Sequence, residues 1–296
     1  MNEKIEKLQK IVEIEVASFC KVLKLSPHSF GVENCVFKAQ TIEWGEIAIK
    51  VPWNRYEKND IDGAINSLDG LQKEYLLTKH CMKYGIPVPK VFKLHKGINI
   101  DFIVQEFMHS ENKGDFPFED LGRLTYSIHQ LSDLPDLYPI DINFVIAQRI
   151  IERTKAIERI TNEKILFPSS EVIEQVLKSF PSKNKLLHMD IRPANTIHTG
   201  SQIRAIFDWT NALIGDPVFE LMRIKDYGHL TEDFITGYKD FNKEMNRVPK
   251  IVKWLYQYDT AVMLSILFLT EVKDKKQGNE AQNRMKRLHE KISKEL

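Results

Sequence analysis

Apolar and polar residues alternate along the first third of this chain in patterns that predict one helix and several strands. Apolar residues recur at helical spacing over residues 5–19, which predicts an amphipathic helix. Residues 26–31 and 35–41 are two strand-like runs separated by a turn, and together they predict a hairpin. Residues 46–52 and 102–108 are mostly apolar runs of strand length. We therefore predict a small β-rich region near the N-terminus.

Longer stretches with apolar residues at helical spacing dominate the rest of the chain. The first is a predicted helix over residues 65–84, and its apolar face comprises Leu68, Leu71, Tyr75, Leu76 and Met82. A second long helix is predicted over residues 141–160, and its solvated face comprises Arg149, Arg153, Lys155 and Arg159. The charge-rich residues 273–296 predict an exposed helix. Further helices are predicted over residues 121–131, 218–225, 231–242 and 248–269.

The densest group of polar residues lies in a short loop between two apolar runs. The loop contains His188, Asp190, Arg192 and Asn195, and the next apolar run ends at Asp208. Two short strands joined by a rigid loop can present Asp190, Asn195 and Asp208 to one point. Asn195 and Asp208 offer hard oxygen ligands, and Mg²⁺ usually takes one or two of these together with substrate phosphates and waters. Asp190 lies outside that pair, so it can accept a proton from a hydroxyl group.

The order of these residues resembles the signature of protein kinases, H-x-D-x-x-x-x-N followed by an Asp after the next strand. More narrowly, it resembles the aminoglycoside phosphotransferase and choline kinase family, which carries H-G-D-x-x-x-x-N and then I-D-W-x-x-x-x-x-G-D-P. Here the second part reads Phe207-Asp208-Trp209 and then Ile214-Gly215-Asp216-Pro217. The resemblance covers nearly the whole chain. Met189 stands where the family usually has Gly, and we expect an ordinary backbone conformation there with no effect on the catalytic groups.

The resemblance implies an α+β, bilobal, protein-kinase-like fold with a small β-rich N-lobe and a larger helical C-lobe. We expect residues 1–108 to form the N-lobe, a nucleotide-binding β-sheet with one long helix. Residues 109–296 are expected to form the C-lobe, which holds the catalytic loop and the acceptor-binding helices, with polar residues 110–114 as the linker. Asp216 follows Asp208 too closely for a long activation segment, which disfavours a protein substrate.

The resemblance also implies a nucleotide site on the N-lobe. Lys50 lies in a strand that resembles the V-A-I-K strand of kinases, where a point charge on a long stem reaches the α- and β-phosphates. Glu74, on the following helix, is the candidate to pair with Lys50. The hairpin tip from Gly31 to Asn34 is expected to cover the phosphates with backbone amides. Taken alone, Lys50 could be a solvated strand residue and the tip an ordinary turn. Hinge backbone groups are expected to bind the purine of ATP or GTP, and the hinge comprises Glu106, Phe107 and Met108.

Several other polar residues have more than one interpretation. Arg192 lies where many protein kinases have a Lys that touches the transferring phosphoryl group, so it either does this electrostatic work or is a surface residue paired with a neighbouring carboxylate. His188 is expected to support the loop through a hydrogen bond. The resemblance implies that Asp216 accepts backbone amides, and His129 is expected to be structural. Six residues could wall the acceptor site, although each could equally be surface or core: Glu220, Asp226, Tyr227, Asp233, Tyr238 and Trp254.

Composition narrows the classes of function. The 296 residues carry a formal net charge of +1, which argues against a nucleic-acid partner. The N-terminus is too charged for a signal peptide, and the longest apolar run, residues 261–269, is too short to span a bilayer. We therefore expect no membrane contact and a cytoplasmic location. Cys20, Cys35 and Cys81 have no C-x-x-C spacing and predict reduced thiols.

We therefore expect a Mg²⁺-dependent phosphotransferase that moves the γ-phosphoryl group of ATP or GTP to a hydroxyl group of a small molecule. An antibiotic or natural product, such as an aminoglycoside or a macrolide, ranks first as the acceptor. A small-metabolite kinase of the choline, homoserine or methylthioribose type ranks second. A rival from another class is a nucleotide-binding pseudokinase that regulates a partner, which the intact Lys50, Asp190, Asn195 and Asp208 disfavour. The sequence identifies no protein partner.

Overall fold

The computed structural model describes residues 2–61, 63–109, 114–134 and 141–296. The predicted linker residues 110–113 lie outside these ranges. The strands within them are β1 (Val22–Phe30), β2 (Asn34–Thr41), β3 (Gly45–Pro52), β4 (Tyr56–Asn59), β5 (Gly63–Asn66), β6 (Val91–Lys96), β7 (Asp101–Glu106), β8 (Lys185–Leu187), β9 (Thr196–Thr199), β10 (Gln202–Ile206) and β11 (Leu213–Gly215). The helices are α1 (Asn2–Ala17), α2 (Ser67–Lys83), α3 (Phe118–His129), α4 (Ile142–Thr161), α5 (Ser170–Leu177), α6 (Pro217–Asp226), α7 (Glu232–Gly237), α8 (Phe241–Arg247), α9 (Lys250–Ile266) and α10 (Lys275–Glu295).

The chain folds as two compact units, each assembled from separate stretches of sequence. The first unit comprises Met1–Glu57, Ala64–Pro117 and Pro193–Asn211. The second unit comprises Lys58–Gly63, Phe118–Arg192 and Ala212–Leu296. The first contains a five-stranded antiparallel sheet and the second is mainly helical, which confirms the predicted α+β class. The lobe boundary between residues 108 and 109 stays a prediction.

The sheet of the first unit has the strand order β1-β2-β3-β7-β6, and every neighbouring pair is antiparallel. Buried residues alternate with partly exposed ones along β2, so that Cys35, Phe37 and Ala39 all face the core. Helix α1 contributes Val12 and Val16, both fully buried, to the same apolar cluster. The predicted N-terminal helix and the predicted hairpin are therefore confirmed. Strand β3, which carries Lys50, lies at the centre of the sheet.

Helix α2 buries Leu71 and packs Tyr75 against the core, as predicted, but part of the predicted apolar face is exposed. Leu76 and Met82, predicted as apolar-face residues, are 54% and 38% exposed. The buried residues of α2 recur at helical spacing and are Leu71, Glu74, Leu77, Thr78 and Cys81. The prediction was wrong for Leu76 and Met82 because the buried side of the helix is the one that carries Glu74, whose partner Lys50 lies inside the unit.

The three cysteines and the long apolar helix behave as the sequence predicts. Cys20, Cys35 and Cys81 are buried free thiols. Among the described residues, no helix combines the length and the apolar character needed to cross a membrane. The apolar run predicted to be a buried helix begins in the last turns of α9, where Ala261, Val262 and Ile266 are fully buried, and ends just beyond that helix.

The helices of the second unit surround one apolar core, and two predictions about them need correction. Helix α10 was predicted to be exposed, but Met285, Leu288 and Ile292 on one side of it are buried in this core. Its charged residues follow the opposite side, which explains why the stretch appears only charge-rich in sequence. The single helix predicted over residues 231–242 is divided into α7 and α8, because the backbone at Asp240 has a left-handed φ of 61°.

Two of the four basic residues predicted to line a solvated face of α4 are instead part of a buried ion cluster. Asp259 of α9 is fully buried and accepts hydrogen bonds from Arg149 at 2.8 and 2.9 Å and from Arg153 at 2.9 Å. Lys155 and Arg159 are exposed, as predicted. The helical pattern could not distinguish the two buried arginines from the two exposed basic residues, because the carboxylate that pairs with the arginines is more than a hundred residues away along the chain.

Asp259 makes the stability of the protein depend on pH in the acid range. Burial by itself raises the pKa of this carboxyl group, but the charges of Arg149 and Arg153 outweigh burial and lower the pKa from 3.8 to about 2. A carboxyl group whose folded pKa is depressed stabilises the fold above its unfolded pKa and loses that contribution as pH falls through the folded pKa. We therefore expect the free energy of unfolding to lose roughly 2–3 kcal/mol through this group between about pH 5 and pH 2.

Urea unfolding at a series of pH values between 7 and 3 checks this expectation with two variants. Asp259→Asn should be less stable at neutral pH and should show a shallower loss of stability on acidification. Asp60→Asn is the matched control, because Asp60 also contacts an arginine, Arg159, at 2.8 Å, but on an exposed surface. Parallel pH profiles for the wild type and Asp259→Asn would show that Asp259 is not the source of the acid dependence.

Candidate active site

The predicted nucleotide-binding lysine lies between two carboxylates in the first unit. Lys50 of β3 lies opposite Ile103 of β7, and its ammonium nitrogen is 2.6 Å from Oε2 of Glu74 on α2. The contact predicted from the sequence is therefore present. The same nitrogen is also 2.9 Å from Oδ1 of Asp208, a contact that the sequence did not predict. Lys50 and Glu74 are both buried, whereas about a third of the Asp208 side chain is exposed.

The two carboxylates determine the charge state of Lys50. Burial by itself would lower the pKa of Lys50, but the negative charges of Asp208 and Glu74 outweigh burial and hold the pKa above its ordinary value. The ammonium group is therefore fully charged at neutral pH. Its position is fixed from two sides, which gives this site a point charge able to meet phosphate oxygens.

The two predicted metal ligands lie at the same end of the β9–β10 hairpin. Thr196 pairs with Ile206 in that hairpin, so Asn195 comes just before the first strand and Asp208 shortly after the second. The Phe207 amide donates to the Asn195 carbonyl at 3.0 Å, which ties the two ends together. Asp208 has a left-handed φ of 66°, and its Oδ1 accepts a hydrogen bond from the Thr210 hydroxyl at 2.7 Å.

These ligand types fit a magnesium ion that is held mainly by its substrate. Within the described ranges, no group of three His, Cys, Asp or Glu side chains could hold a metal on its own. Asn195 and Asp208 supply one amide oxygen and one carboxylate. Mg²⁺ usually binds only one or two protein ligands of this kind, and phosphates and waters complete its octahedral coordination. A closed structural metal site would require more protein ligands than this pair provides.

The loop that carries Asp190 lies in the second unit and is held by its backbone. The amides of His188 and Met189 both donate to the carboxylate of Glu220 on α6, the first at 3.3 Å. The Asp190 amide donates to Nδ1 of His188 at 3.2 Å, which confirms that His188 supports the loop through a hydrogen bond. Because Nδ1 accepts this bond, a neutral His188 carries its proton on Nε2.

Met189 does not have the ordinary backbone conformation that was expected. Its φ is 65°, in the left-handed region, which costs a non-glycine residue roughly 1–2 kcal/mol. Tertiary contacts on both sides of the residue offset this cost. Its amide donates to Glu220, its carbonyl accepts a hydrogen bond from Arg223 at 2.8 Å, and its side chain is buried in the core. The family's usual glycine suits this conformation, and here packing enforces it on a methionine.

Glu220 is itself held by a buried chain of side chains. Nε2 of His129 on α3 lies 2.8 Å from Oε2 of Glu220, and Nδ1 of the same ring lies 2.8 Å from the hydroxyl of Tyr238. A neutral His129 satisfies both contacts when Nε2 donates to the carboxylate and Nδ1 accepts from the phenol. His129 is therefore structural, as predicted. Glu220 and Tyr238 are almost fully buried, which removes both from the candidate acceptor wall.

Asp190 and Arg192 form an ion pair in the second unit. The distance between Nη2 of Arg192 and Oδ2 of Asp190 is 3.1 Å. The Asp190 side chain is 9% exposed, whereas that of Arg192 is 44% exposed. This contact matches the interpretation of Arg192 as a residue paired with a neighbouring carboxylate. The catalytic roles of both residues stay predictions.

Asp216 accepts backbone amides, as the resemblance implies. It caps α6 by accepting the Val218 amide at 3.0 Å, and its other oxygen accepts the Lys183 amide at 3.0 Å. Arg247 donates to that second oxygen at 2.6 Å. Asp216 therefore joins the start of α6 to the segment that precedes β8, which is a structural role.

The predicted hinge and hairpin tip use part of their backbone within the first unit. The amides of Glu106 and Phe107 donate to the carbonyls of Lys90 and Glu46, at 2.7 and 3.2 Å. Of the three predicted hinge amides, that of Met108 is therefore the best candidate to contact a purine. At the tip, the Gly31 amide donates to the Asn34 carbonyl at 2.8 Å and closes the turn.

The remaining acceptor-wall candidates differ in exposure. Asp226 is buried at the end of α6, where burial raises its pKa to about 6 and Gln257 donates to it at 2.9 Å. Asp233 is exposed and Trp254 is partly buried.

Arg223 was absent from the sequence prediction, although its spacing of three from Glu220 within an apolar helix is a signal of a shared buried face.

Comparisons with known proteins show the family of this chain and its fold. The sequence model of the phosphotransferase enzyme family, APH, matches residues 25–248. No curated protein matches the sequence.

Solved structures share the fold at low sequence identity. A thermostable mutant of aminoglycoside phosphotransferase APH(4)-Ia, in ternary complex with AMP-PNP and hygromycin B, has 14% identity and a TM-score of 0.64, with 96% of this chain and 97% of that chain covered. Choline kinase LicA from Streptococcus pneumoniae has 16% identity and a TM-score of 0.58, with 97% and 99% covered. A putative fructosamine-3-kinase from Haemophilus somnus 129PT has 14% identity and a TM-score of 0.64, with 95% and 96% covered. The likeness confirms the predicted kinase-like fold.

Proposed function

Because this chain belongs to the phosphotransferase enzyme family, we propose that it transfers the γ-phosphoryl group of ATP or GTP to a hydroxyl group of a small molecule. The observation that carries the proposal is the charged Lys50 fixed between Glu74 and Asp208. Such a lysine–glutamate pair beside a metal-binding aspartate is what a kinase uses to position nucleotide phosphates. The neighbouring APH(4)-Ia structure contains AMP-PNP, which supports a nucleotide co-substrate here.

The nucleotide side of the proposed reaction belongs to the first unit. Lys50 contacts the α- and β-phosphates, and Glu74 keeps the ammonium group in place. Asn195 and Asp208 hold Mg²⁺, which, when bound, neutralises charge on the phosphate oxygens. The backbone of the Gly31–Asn34 tip covers the phosphates, and the hinge contacts the purine, chiefly through Met108.

Asp190 is the proposed base. The acceptor hydroxyl oxygen forms a bond to the γ-phosphorus while the bond from that phosphorus to the β–γ bridging oxygen breaks. The hydroxyl proton passes to the Asp190 carboxylate, and the leaving group is ADP or GDP. Since the transition state is loose, catalysis depends mainly on positioning and charge neutralisation. Arg192, which is 3.1 Å from Asp190, turns from that carboxylate in our proposal and contacts the transferring phosphoryl group.

For the acceptor we propose an antibiotic or natural product first and a small metabolite second. The named neighbours include an aminoglycoside phosphotransferase, a choline kinase and a putative fructosamine-3-kinase, so the fold itself does not choose among these classes. The ion pair of Arg192 and Asp190 carries no net charge, so it adds no attraction for a polycation such as an aminoglycoside. Within the first class we therefore expect a neutral or singly charged acceptor, such as a macrolide, to be turned over best.

A panel of acceptors tests both the reaction and its specificity. ADP and GDP release is measured with Mg²⁺ and either nucleotide, using aminoglycosides, macrolides, choline, homoserine, methylthioribose and a fructosamine. We expect release to depend on one acceptor and to be accompanied by a phosphorylated product in mass spectra. Reactions without acceptor provide the background rate. Tight nucleotide binding with no acceptor-dependent release across the panel would favour the pseudokinase alternative.

A further inference from the structure

One face of α6 contacts two consecutive residues of the loop that carries Asp190. Glu220 accepts the amides of His188 and Met189, and Arg223 donates to the Met189 carbonyl at 2.8 Å. Glu220 and Arg223 are three positions apart on the helix, so they lie on the same face. Positions nearer the C-terminus of α6 contact loop residues nearer Asp190, since Glu220 binds the amides of His188 and Met189 and Arg223 binds the Met189 carbonyl. The next position on this face, four residues after Arg223, is Tyr227.

The end of α6 holds Tyr227 in that position. Tyr227 is the C-cap residue and keeps helical angles, with φ of −75° and ψ of −7°. Gly228 follows with a left-handed φ of 78°, its amide donates to the Lys225 carbonyl, and the next amide donates to the Ile224 carbonyl. This pair of bonds is the Schellman motif, which ends a helix in a fixed geometry and favours glycine at this position. Tyr227 therefore stays in register with Glu220 and Arg223.

The phenol of Tyr227 meets the carboxylate of Asp190. The pKa of Tyr227 is raised to about 12, mainly by burial, and the charge of Asp190 and a hydrogen bond from the phenol to Asp190 contribute to the increase. Arg223 and Arg192 are close enough to oppose that increase. The ring of His229 lies 6.5 Å from that of Tyr227. Tyr227 and Arg192 are therefore both side-chain partners of Asp190.

We propose that Tyr227 is a positioning residue for the reaction. It donates a hydrogen bond to the Asp190 carboxylate, which extends the contacts of α6 from His188 and Met189 to Asp190. This inference rests on the proposed function in so far as it assigns Asp190 as the base. With Tyr227 bound to the carboxylate, Arg192 can leave it for the phosphoryl group while the base keeps its orientation. A proton acceptor must be held close to its ideal geometry, and small displacements cost large factors in rate.

The contact can be tested without any acceptor. A fluorinated tyrosine placed at position 227 reports the titration of that phenol by ¹⁹F NMR. We expect the midpoint to move to lower pH in Asp190→Ala, because the neutral phenol loses the carboxylate that favours it. Asp60→Ala, which removes an exposed carboxylate, should leave the midpoint where it is. An unchanged midpoint in Asp190→Ala would overturn the inference, whatever the enzyme turns over.

The positioning role is tested by kinetics with the acceptor found in the panel. Tyr227→Phe should lower the single-turnover rate of phosphoryl transfer roughly tenfold or more, with the nucleotide Kd and the acceptor KM unchanged. Tyr258→Phe is the matched control, because it removes another buried hydroxyl, bonded to Thr154 at 3.2 Å, and should keep the wild-type rate. A wild-type rate for Tyr227→Phe would overturn the positioning role, as would a rate lost only together with nucleotide affinity. A shifted NMR midpoint in a protein that phosphorylates no acceptor would refute the proposed function and leave the contact intact.

Discussion

Replacing Asp190 with asparagine should lower turnover by roughly 10²–10⁴-fold while nucleotide binding is retained. The amide has nearly the shape of the carboxylate, but it cannot accept the proton of the acceptor hydroxyl. The groups proposed to hold the nucleotide, Lys50, Glu74 and Asp208, lie together in the first unit and are unchanged by the substitution. Single-turnover phosphoryl transfer measures the loss, and calorimetric titration with Mg²⁺ and AMP-PNP measures nucleotide binding.

Two controls make the Asp190→Asn result specific. Asp60→Asn makes the same chemical change at an exposed site and should have wild-type turnover. Thermal unfolding of Asp190→Asn should match that of the wild type, because the loop is held by the backbone contacts to Glu220 and Arg223. Near-normal turnover in Asp190→Asn would exclude Asp190 as the base.

The second large effect is expected for Asp208→Asn, which should abolish the Mg²⁺-dependent part of nucleotide affinity. A neutral amide replaces the only carboxylate of the proposed ligand pair, and the loss should exceed roughly a hundredfold, since even residues behind a metal ligand change affinity by 10–100-fold. Lys50 keeps its contact with Glu74, so the metal-independent binding should decline less. Nucleotide titrations with and without Mg²⁺ separate the two contributions.

Thr210→Val provides the comparison for Asp208→Asn. It removes the hydroxyl that donates to Asp208 at 2.7 Å but leaves the carboxylate itself. Its affinity for nucleotide should therefore still respond to Mg²⁺, with a smaller change than in Asp208→Asn. If Asp208→Asn shows the same affinity as the wild type throughout a Mg²⁺ titration, Asp208 is not a ligand of the metal.

The local pattern of the chain was sufficient to locate most elements that carry the candidate site. Alternation in β2 and helical spacing in α1 and α2 predicted elements whose bounds agree with the structure within a few residues. The pairing of Lys50 with Glu74 was also predicted, because the strand resembles the V-A-I-K strand of kinases, although Lys50 taken alone could have been a solvated strand residue. Their roles towards a nucleotide stay predictions.

Contacts between distant positions could not be obtained in the same way. The carboxylate of Asp208 contacts Lys50, which is 158 positions away in the sequence. Asp259 accepts hydrogen bonds from Arg149 and Arg153, which lie on another helix. A charged residue on a helix looks solvated in sequence until its partner is known. For the same reason the buried side of α10 was missed, because its apolar residues are few and widely spaced among charges.

The loop from His188 to Asn195 shows most clearly what the sequence determines and what the tertiary structure determines. The sequence by itself determined which polar groups the loop offers, His188, Asp190, Arg192 and Asn195, because residue types and spacing are local properties. Only the tertiary structure decided how the loop is held. The left-handed backbone of Met189 and its contacts to Glu220 and Arg223 exist because α6 packs beside the loop and satisfies backbone groups that water would otherwise bind. Spacing along a chain specifies what each element presents, and packing between elements specifies which partner it meets.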